Sequence, residues 1–291
     1  MRARVNGIEL EYELFGAVEA APLVVLIAGF SQQMTGWDPM FCERLARRGF
    51  RVVRFDNRDV GLSSKIEGGP RPRISAIVGG DLSTLSYALT DMADDTARLI
   101  EALGAGAAHV VGVSMGGMIA QTLAIHHPER VKTLVSIMST TGDRSVGYGQ
   151  PETLKLMSER SPTDRQENIE QGIRVWQKLR SPGFPHDEAL VRTRIGRNFD
   201  RSFYPEGVAR QLAALLGQPD RTAALAQVRA PTTVIHGAED SLIHVSGGEA
   251  TARAIPGAKL IVIPGMGHEL PADVWGTVID AVVANALEST R

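Results

Sequence analysis

Six short apolar runs constrain this chain more than anything else in it. They are PLVVLIA at 22–28, RVVRFD at 51–56, AHVVGVS at 108–114, VKTLVSIM at 131–138, TTVIHG at 232–237 and KLIVIP at 259–264. A run that is apolar at nearly every position, and not at alternate ones, is a strand buried on both faces. Amphipathic helical patterns lie between them: DPMFCERLARR at 38–48 ending at Gly49, a helix over 84–103 ending at Gly104, MGGMIAQTLAIHH stopped by Pro128, one near 246–254 and a last one over 271–287. Strands alternating with helices in this way predict an α/β fold, a mostly parallel sheet with helices on both faces. Ahead of it, residues 3–14 read as two short strands around Asn6-Gly7, a favoured hairpin turn pair.

Residues 140–228 break that rhythm. Helical patterns over 152–159, 164–180, 187–199 and 205–216 are interrupted by Ser-Pro, Pro-Gly, Phe-Pro and Tyr-Pro breakers, with no clear strand among them. Extra surface helices would give such a pattern. The expectation here is a helical cap inserted between two core strands, over the carboxyl edge of the sheet where open α/β folds bind ligands. The domains are then a core of 1–139 and 229–291 and a cap of 140–228.

The composition narrows the classes of function. A net charge of −2 offers no basic footprint for nucleic acid or an anionic membrane. The run LVVLIA at 23–28 is far too short to cross a bilayer, and the N-terminal residues carry no apolar signal core, so the expected location is the cytoplasm. The single cysteine, Cys42, excludes an intrachain disulfide and a cysteine-based metal site; following Phe41 in an amphipathic stretch, it reads as a small buried hydrophobe.

VGVSMGGMIA at 111–120 carries the chemistry. Gly112-Val113-Ser114-Met115-Gly116 fits G-x-S-x-G, and it falls after a predicted strand and opens a predicted helix, where the motif has mechanical meaning. Small residues at 112 and 116 let the two backbones crowd together, so that the serine projects above the sheet edge. The same motif occurs by chance, and it then describes an ordinary glycine-rich bend.

A serine hydroxyl needs a base. Of seven histidines, His109 begins the strand leading into the bend, His126 and His127 sit at the far end of the following helix, His186 is in the cap, His236 lies in or just after a strand and His244 is in a loop. His268, in PGMGHELP, follows the last predicted strand directly and is the candidate base. The base needs a carboxylate to hold its tautomer. Asp240 in VIHGAEDSLI, after the preceding strand, is preferred; Glu239 and Asp143 are its competitors. The order Ser114, Asp240, His268 is nucleophile, acid, base.

An oxyanion needs two donors. One is the backbone N–H of Met115, at a helix N-terminus where the dipole favours negative charge. The other is expected in LIAGFSQQMTGW, where Gly29 lets the backbone turn and Phe30 offers its N–H.

Together, GVSMGG, FDNRDVGLSS (55–64), HPERVKTLV (127–135), VIHGAEDSLI and PGMGHELP resemble the α/β-hydrolase superfamily over nearly the whole chain. Within it, AGFSQQMTGW, DNRDVGLS and PGMGHELP are most similar to the aclacinomycin methylesterase type of capped carboxylesterases. The resemblance implies Ser114, Asp240 and His268 as triad, Phe30 and Met115 as oxyanion donors, and no cofactor or metal. Ala28 stands where many relatives carry histidine, which alters loop packing more than chemistry. The segment Asp56-Asn57-Arg58-Asp59 reads as a structural network near the site, with Arg58 pairing with carboxylates. Serine at position 114 argues against haloalkane dehalogenases and epoxide hydrolases, which would call for aspartate.

The expected function is a serine carboxylesterase that hydrolyses small carboxylic esters with water, through an acyl-enzyme on Ser114. A cofactor-free perhydrolase or a carbon–carbon bond hydrolase would use the same apparatus, and a hydrolase-fold ligand receptor is the non-enzyme alternative. Trp176, Phe199, Phe203, Tyr204 and Leu242 are candidates to line the substrate pocket, though each taken singly reads first as a core or cap-packing side chain, and the oligomeric state stays open.

Overall fold

A computed structural model describes residues 1–289. Eight strands, β1 (Arg2–Val5), β2 (Ile8–Phe15), β3 (Leu23–Ile27), β4 (Arg51–Phe55), β5 (Ala108–Val113), β6 (Val131–Ile137), β7 (Thr232–Gly237) and β8 (Lys259–Ile263), form one sheet in the order β1-β2-β4-β3-β5-β6-β7-β8. The predicted hairpin is present: Val5 pairs with Ile8 across Asn6 and Gly7, both at positive φ as a two-residue turn of this type requires. β2 is also antiparallel to β4, and every pairing from β4 to β8 is parallel.

Burial explains why the central strands are apolar throughout. Leu23, Val25 and Ile27 of β3 enter a core layer on one face of the sheet, and Val24 and Leu26 enter a second layer on the other. The described residues also form eleven helices: α1 (Pro39–Ala46), α2 (Ile74–Val78), α3 (Leu89–Ala102), α4 (Met115–His126), α5 (Pro151–Met157), α6 (Arg165–Leu179), α7 (Glu188–Arg201), α8 (Pro205–Leu216), α9 (Thr222–Leu225), α10 (Ser246–Ala254) and α11 (Trp275–Glu288). α3 and α4 supply Met92, Ile100, Met118, Ile119 and Leu123 to the first layer. α1 and α11 supply Phe41, Leu45, Val278 and Val282 to the second, and Cys42 is fully buried there as expected.

Two helices start later than their patterns predict. α3 begins at Leu89 and not at 84, because Asp91 accepts the Ala88 N–H at 2.8 Å and so caps the helix there, while Thr84 upstream accepts the Arg73 N–H. α11 begins at Trp275, after a 3₁₀ turn over Ala272–Val274 that follows Pro271. The short helices α2 and α9 had no periodic pattern long enough to announce them.

α5 to α9 all lie between β6 and β7, with no strand among the described residues of that segment. They bond to loops at the carboxyl ends of several strands. The α6 end reaches the loops after β7 and β8: Lys178 O accepts from Ser241 Oγ, and Ser181 Oγ from the Gly267 N–H. α7 and α8 reach the loops after β3 and β4, where Arg201 pairs with Asp56 at 2.8 Å and Arg210 with Asp59 at 2.8 Å.

Candidate active site

Ser114 sits at the β5–α4 junction with φ 54° and ψ −122°. A residue with a side chain tolerates such a backbone only at a cost of about 1–3 kcal/mol, when its surroundings leave no alternative. Here they leave none. A Cβ at Gly112 would collide with the Gly116 carbonyl, and one at Gly116 with the carbonyl of Ile27 in β3. The Ser114 N–H is fixed to Ile137 O at 2.9 Å. The two glycines named from the sequence are thus required by space.

Three side chains from three loops meet at this turn. Ser114 Oγ lies 3.0 Å from His268 Nε2, and His268 Nδ1 lies 2.7 Å from Asp240 Oδ2. The other carboxylate oxygen of Asp240 accepts the N–H groups of Leu242 and Ile243, at 2.9 and 2.8 Å. The His268 N–H is held by Leu179 O at 2.8 Å, at the end of α6. Burial alone would push the Asp240 carboxyl up. The opposing influence of His268 and His236, with the hydrogen bonds they donate, holds it well below the usual carboxylate range.

The competing residues lie elsewhere. Glu239 is exposed, and Asp143 closes a local turn by accepting from Ser145 N–H and Oγ. His236 is fully buried and Nε2 donates to Ile243 O at 2.8 Å, which stiffens the loop behind Asp240. His109 bonds Thr133 at the opposite end of the strand, His127 bonds Asp94, and His244 bonds Ser246. His126 ends α4, and His186 is half-buried ahead of α7. Among the described residues no group of three or more His, Cys, Asp or Glu side chains could hold a metal ion.

Gly29 lies directly over the turn: a Cβ there would stand 3.4 Å from the Ser114 Cβ. Among the described residues no acceptor takes the N–H of Phe30 or of Met115, the first residue of α4. Two free donors therefore belong to residues next to this contact, Phe30 after Gly29 and Met115 after Ser114. The Phe30 side chain packs against the core layer that contains Met115 and Met118.

The structure also supplies what the sequence reading missed. Arg58 pairs bidentately with Asp95 of α3, with both distances 2.7 Å, so its carboxylate partner is a residue not named from sequence. The loop after β3 is held by partners from the α7–α8 region: Gln33 Nε2 donates to Asn198 O at 2.7 Å, Thr35 Oγ1 to Asn198 Oδ1 at 2.7 Å, and Ser31 N–H to Gln211 Oε1 at 3.0 Å. Gln33, Asn198, Arg201, Arg210 and Gln211 form no short motif, and the only available signal was the pair of acids, Asp56 and Asp59, whose buried charge demands cations. Of the pocket candidates, Phe199 stacks on Phe203 with centroids 4.6 Å apart, Trp176 lies 4.3 Å under Arg194, and the Tyr204 hydroxyl accepts from Arg210. Leu242 packs against the core layer.

A serine on a strained turn, in line with a histidine and a buried carboxylate and with free N–H groups on neighbouring residues, is equipped for nucleophilic attack on a carbonyl. The model of the alpha/beta hydrolase fold family matches residues 22–273. A rhodomycin D methylesterase from Streptomyces sp. strain C5 is 29% identical over 98% of this chain and 97% of its own. A 2-hydroxy-6-oxononadienedioate/2-hydroxy-6-oxononatrienedioate hydrolase from Burkholderia vietnamiensis is 30% identical over 90% and 86%. Among solved structures, a thermophilic esterase from Thermogutta terrifontis superposes with a TM-score of 0.75 at 27% identity, covering 99% of each chain.

Proposed function

From the premise that this chain belongs to the alpha/beta hydrolase fold family, we propose that it is a serine carboxylesterase whose triad is Ser114, His268 and Asp240. The observation that carries the reading is the continuous line of contacts from Ser114 Oγ to His268 at 3.0 Å and from His268 to Asp240 at 2.7 Å, on a turn strained into place. Similarity to a rhodomycin D methylesterase and to a thermophilic esterase supports an ester as substrate.

Ser114 Oγ attacks the ester carbonyl as His268 Nε2 takes its proton. The same nitrogen then returns the proton to the leaving alcohol, and the acyl group stays on Ser114. Asp240 keeps the Nδ1 proton in place and stabilises the imidazolium. The N–H groups of Phe30 and Met115 receive the negative charge on the carbonyl oxygen, each contributing about 3 kcal/mol to lowering the barrier. Water, deprotonated by His268, releases the acid. Residues 140–228, which include α5–α9, act as the cap and bound the acyl and alcohol sites. No cofactor or metal enters any of these steps.

Ser114→Ala should abolish turnover of a short-chain aryl ester while circular dichroism stays unchanged, and a fluorophosphonate should add one mass increment, at Ser114. Turnover near the wild-type rate would end the assignment. The similarity to a hydrolase of 2-hydroxy-6-oxo dienedioates supports a second reading, in which the bond cleaved is carbon–carbon. Faster turnover of a vinylogous 1,5-diketone than of any aryl ester would favour it.

A further inference from the structure

The loop that carries Phe30 is held by a turn of its own and by a side chain from a distant helix. Ser31, next to it, has φ 57°, which a residue with a side chain adopts only when something holds it there. A turn bond from the Gln32 N–H to Gly29 O at 3.2 Å closes over it, and Gln211, on α8, holds it from outside: its Oε1 accepts the Ser31 N–H at 3.0 Å, and its Nε2 donates to Arg58 O at 2.9 Å. Gln211 is fully buried although Ser31 itself is exposed, so the amide reaches out of α8 to a backbone group that solvent would otherwise take. Its helix is clamped on the same side by the Arg210–Asp59 pair. Upstream, Asn57 Nδ2 anchors Ala28 O at 3.2 Å; downstream, Asp56 Oδ1 accepts the Met34 N–H at 2.7 Å. Ala28 and Met34 are therefore pinned by the core; between them Gln33 is held by Asn198 and Arg201, and Gln211 takes the N–H next to Phe30.

We propose that Gln211 is a positioning residue for the oxyanion site: by fixing the Ser31 N–H it sets the backbone at Phe30, so that the helical segment between β6 and β7 completes the oxyanion hole. This rests on the triad and oxyanion reading above. The reacting oxygen never touches Gln211. Without the amide, the Ser31 N–H loses its acceptor, and the 29–32 turn bond alone is left to set the backbone at Phe30.

Three variants test this against a merely structural role. Gln211→Met fills the same volume and cannot accept the Ser31 N–H. Gln211→Glu keeps an acceptor there, and burial favours the neutral acid, whose O–H takes over the donation to Arg58 O. Gln211→Asn withdraws the amide by one methylene and serves if the methionine variant does not fold. With a short-chain aryl ester, Gln211→Met should lower kcat by about 10–100-fold, a fraction of what deleting an oxyanion donor costs, with KM little changed. The inhibition constant of phenylboronic acid, whose tetrahedral adduct places an oxygen in the hole, should rise by the same factor. Gln211→Glu should recover most of kcat. Wild-type kcat and boronate affinity in Gln211→Met would overturn the proposal, as would equal losses in the methionine and glutamate variants accompanied by a raised KM. Ser114→Ala is measured in parallel: if it stays active the triad reading fails, and this inference falls with it, whereas an inactive Ser114→Ala beside an unaffected Gln211→Met removes this inference alone.

Discussion

Two loops at the carboxyl edge of the sheet each bury an aspartate, and their partners give the two carboxylates opposite roles. Asp240, after β7, faces the imidazoles of His268 and His236, and His268 in turn reaches Ser114 Oγ. Asp59, after β4, faces Arg210 through two hydrogen bonds of 2.8 and 3.0 Å, and a guanidinium does not give up its proton. Depth of burial is the same, and so is the residue type. The first arrangement can carry charge toward Ser114 during a reaction. The second is static, and it ties α8 to the core beside the loop that bears Phe30. The two buried acids thus differ in what faces them: an imidazole in contact with Ser114, or a guanidinium on a helix.

The largest effect that separates them is on rate. Asp240→Asn keeps an acceptor for Leu242 and Ile243 but loses the charge that holds the His268 tautomer. kcat on an aryl ester should fall about 10⁴-fold, as in other Ser-His-Asp sites, with the far-ultraviolet circular dichroism unchanged. A loss of tenfold or less would place Asp240 with the architectural acids.

Next comes a loss of stability at the other loop. Arg210→Met leaves Asp59 buried without its cation, and should lower unfolding free energy by about 3 kcal/mol in urea denaturation. Adding Asp59→Asn should return most of it, since asparagine tolerates the φ of 70° at that position and needs no counter-ion. A double variant as unstable as the single one would mean that the pair does more than neutralise a buried charge.

The same contrast explains how much of this molecule was legible beforehand. Ser114, Asp240 and His268 lie one, three and five residues beyond the ends of β5, β7 and β8. Each was found by following an apolar run to its end, because a parallel sheet delivers its strand termini to a single edge. Continuous apolarity revealed the strands themselves, since both of their faces are covered. The Ser31–Gln211 contact spans 180 positions and the Gln33–Asn198 contact 165, and no local pattern encodes such a partner. Arginine and glutamine on a helix of mixed polarity normally meet solvent, so Arg201, Arg210 and Gln211 gave no reason to expect burial. The start of α3 was misplaced by five residues because a side-chain cap from Asp91, and not hydrophobic periodicity, decides where that helix begins.

A third buried titratable group, at the other end of the sheet, gives the smallest effect and extends the contrast. His109 bonds Thr133 at 3.0 Å and meets no carboxylate there. Burial, assisted by Lys132, pushes its pKa down from the usual 6.5 to about 4. Above pH 6.5 the ring is neutral in both folded and unfolded chains and affects stability little. Between 6.5 and about 4 the unfolded chain holds a proton that the folded one refuses, so stability falls with acidification, by at most about 1.4 kcal/mol per pH unit. Asp240 acts below that window: its contribution is fully present above the usual carboxylate pKa and is lost as pH falls through its lower folded value. Urea midpoints measured from pH 7 to 5 should therefore decline in the wild type and decline less in His109→Gln, which keeps a partner for Thr133 without titrating. Identical slopes would show that His109 gains its proton in the folded state as readily as in the unfolded one, and that burial without an acidic partner does not set its charge.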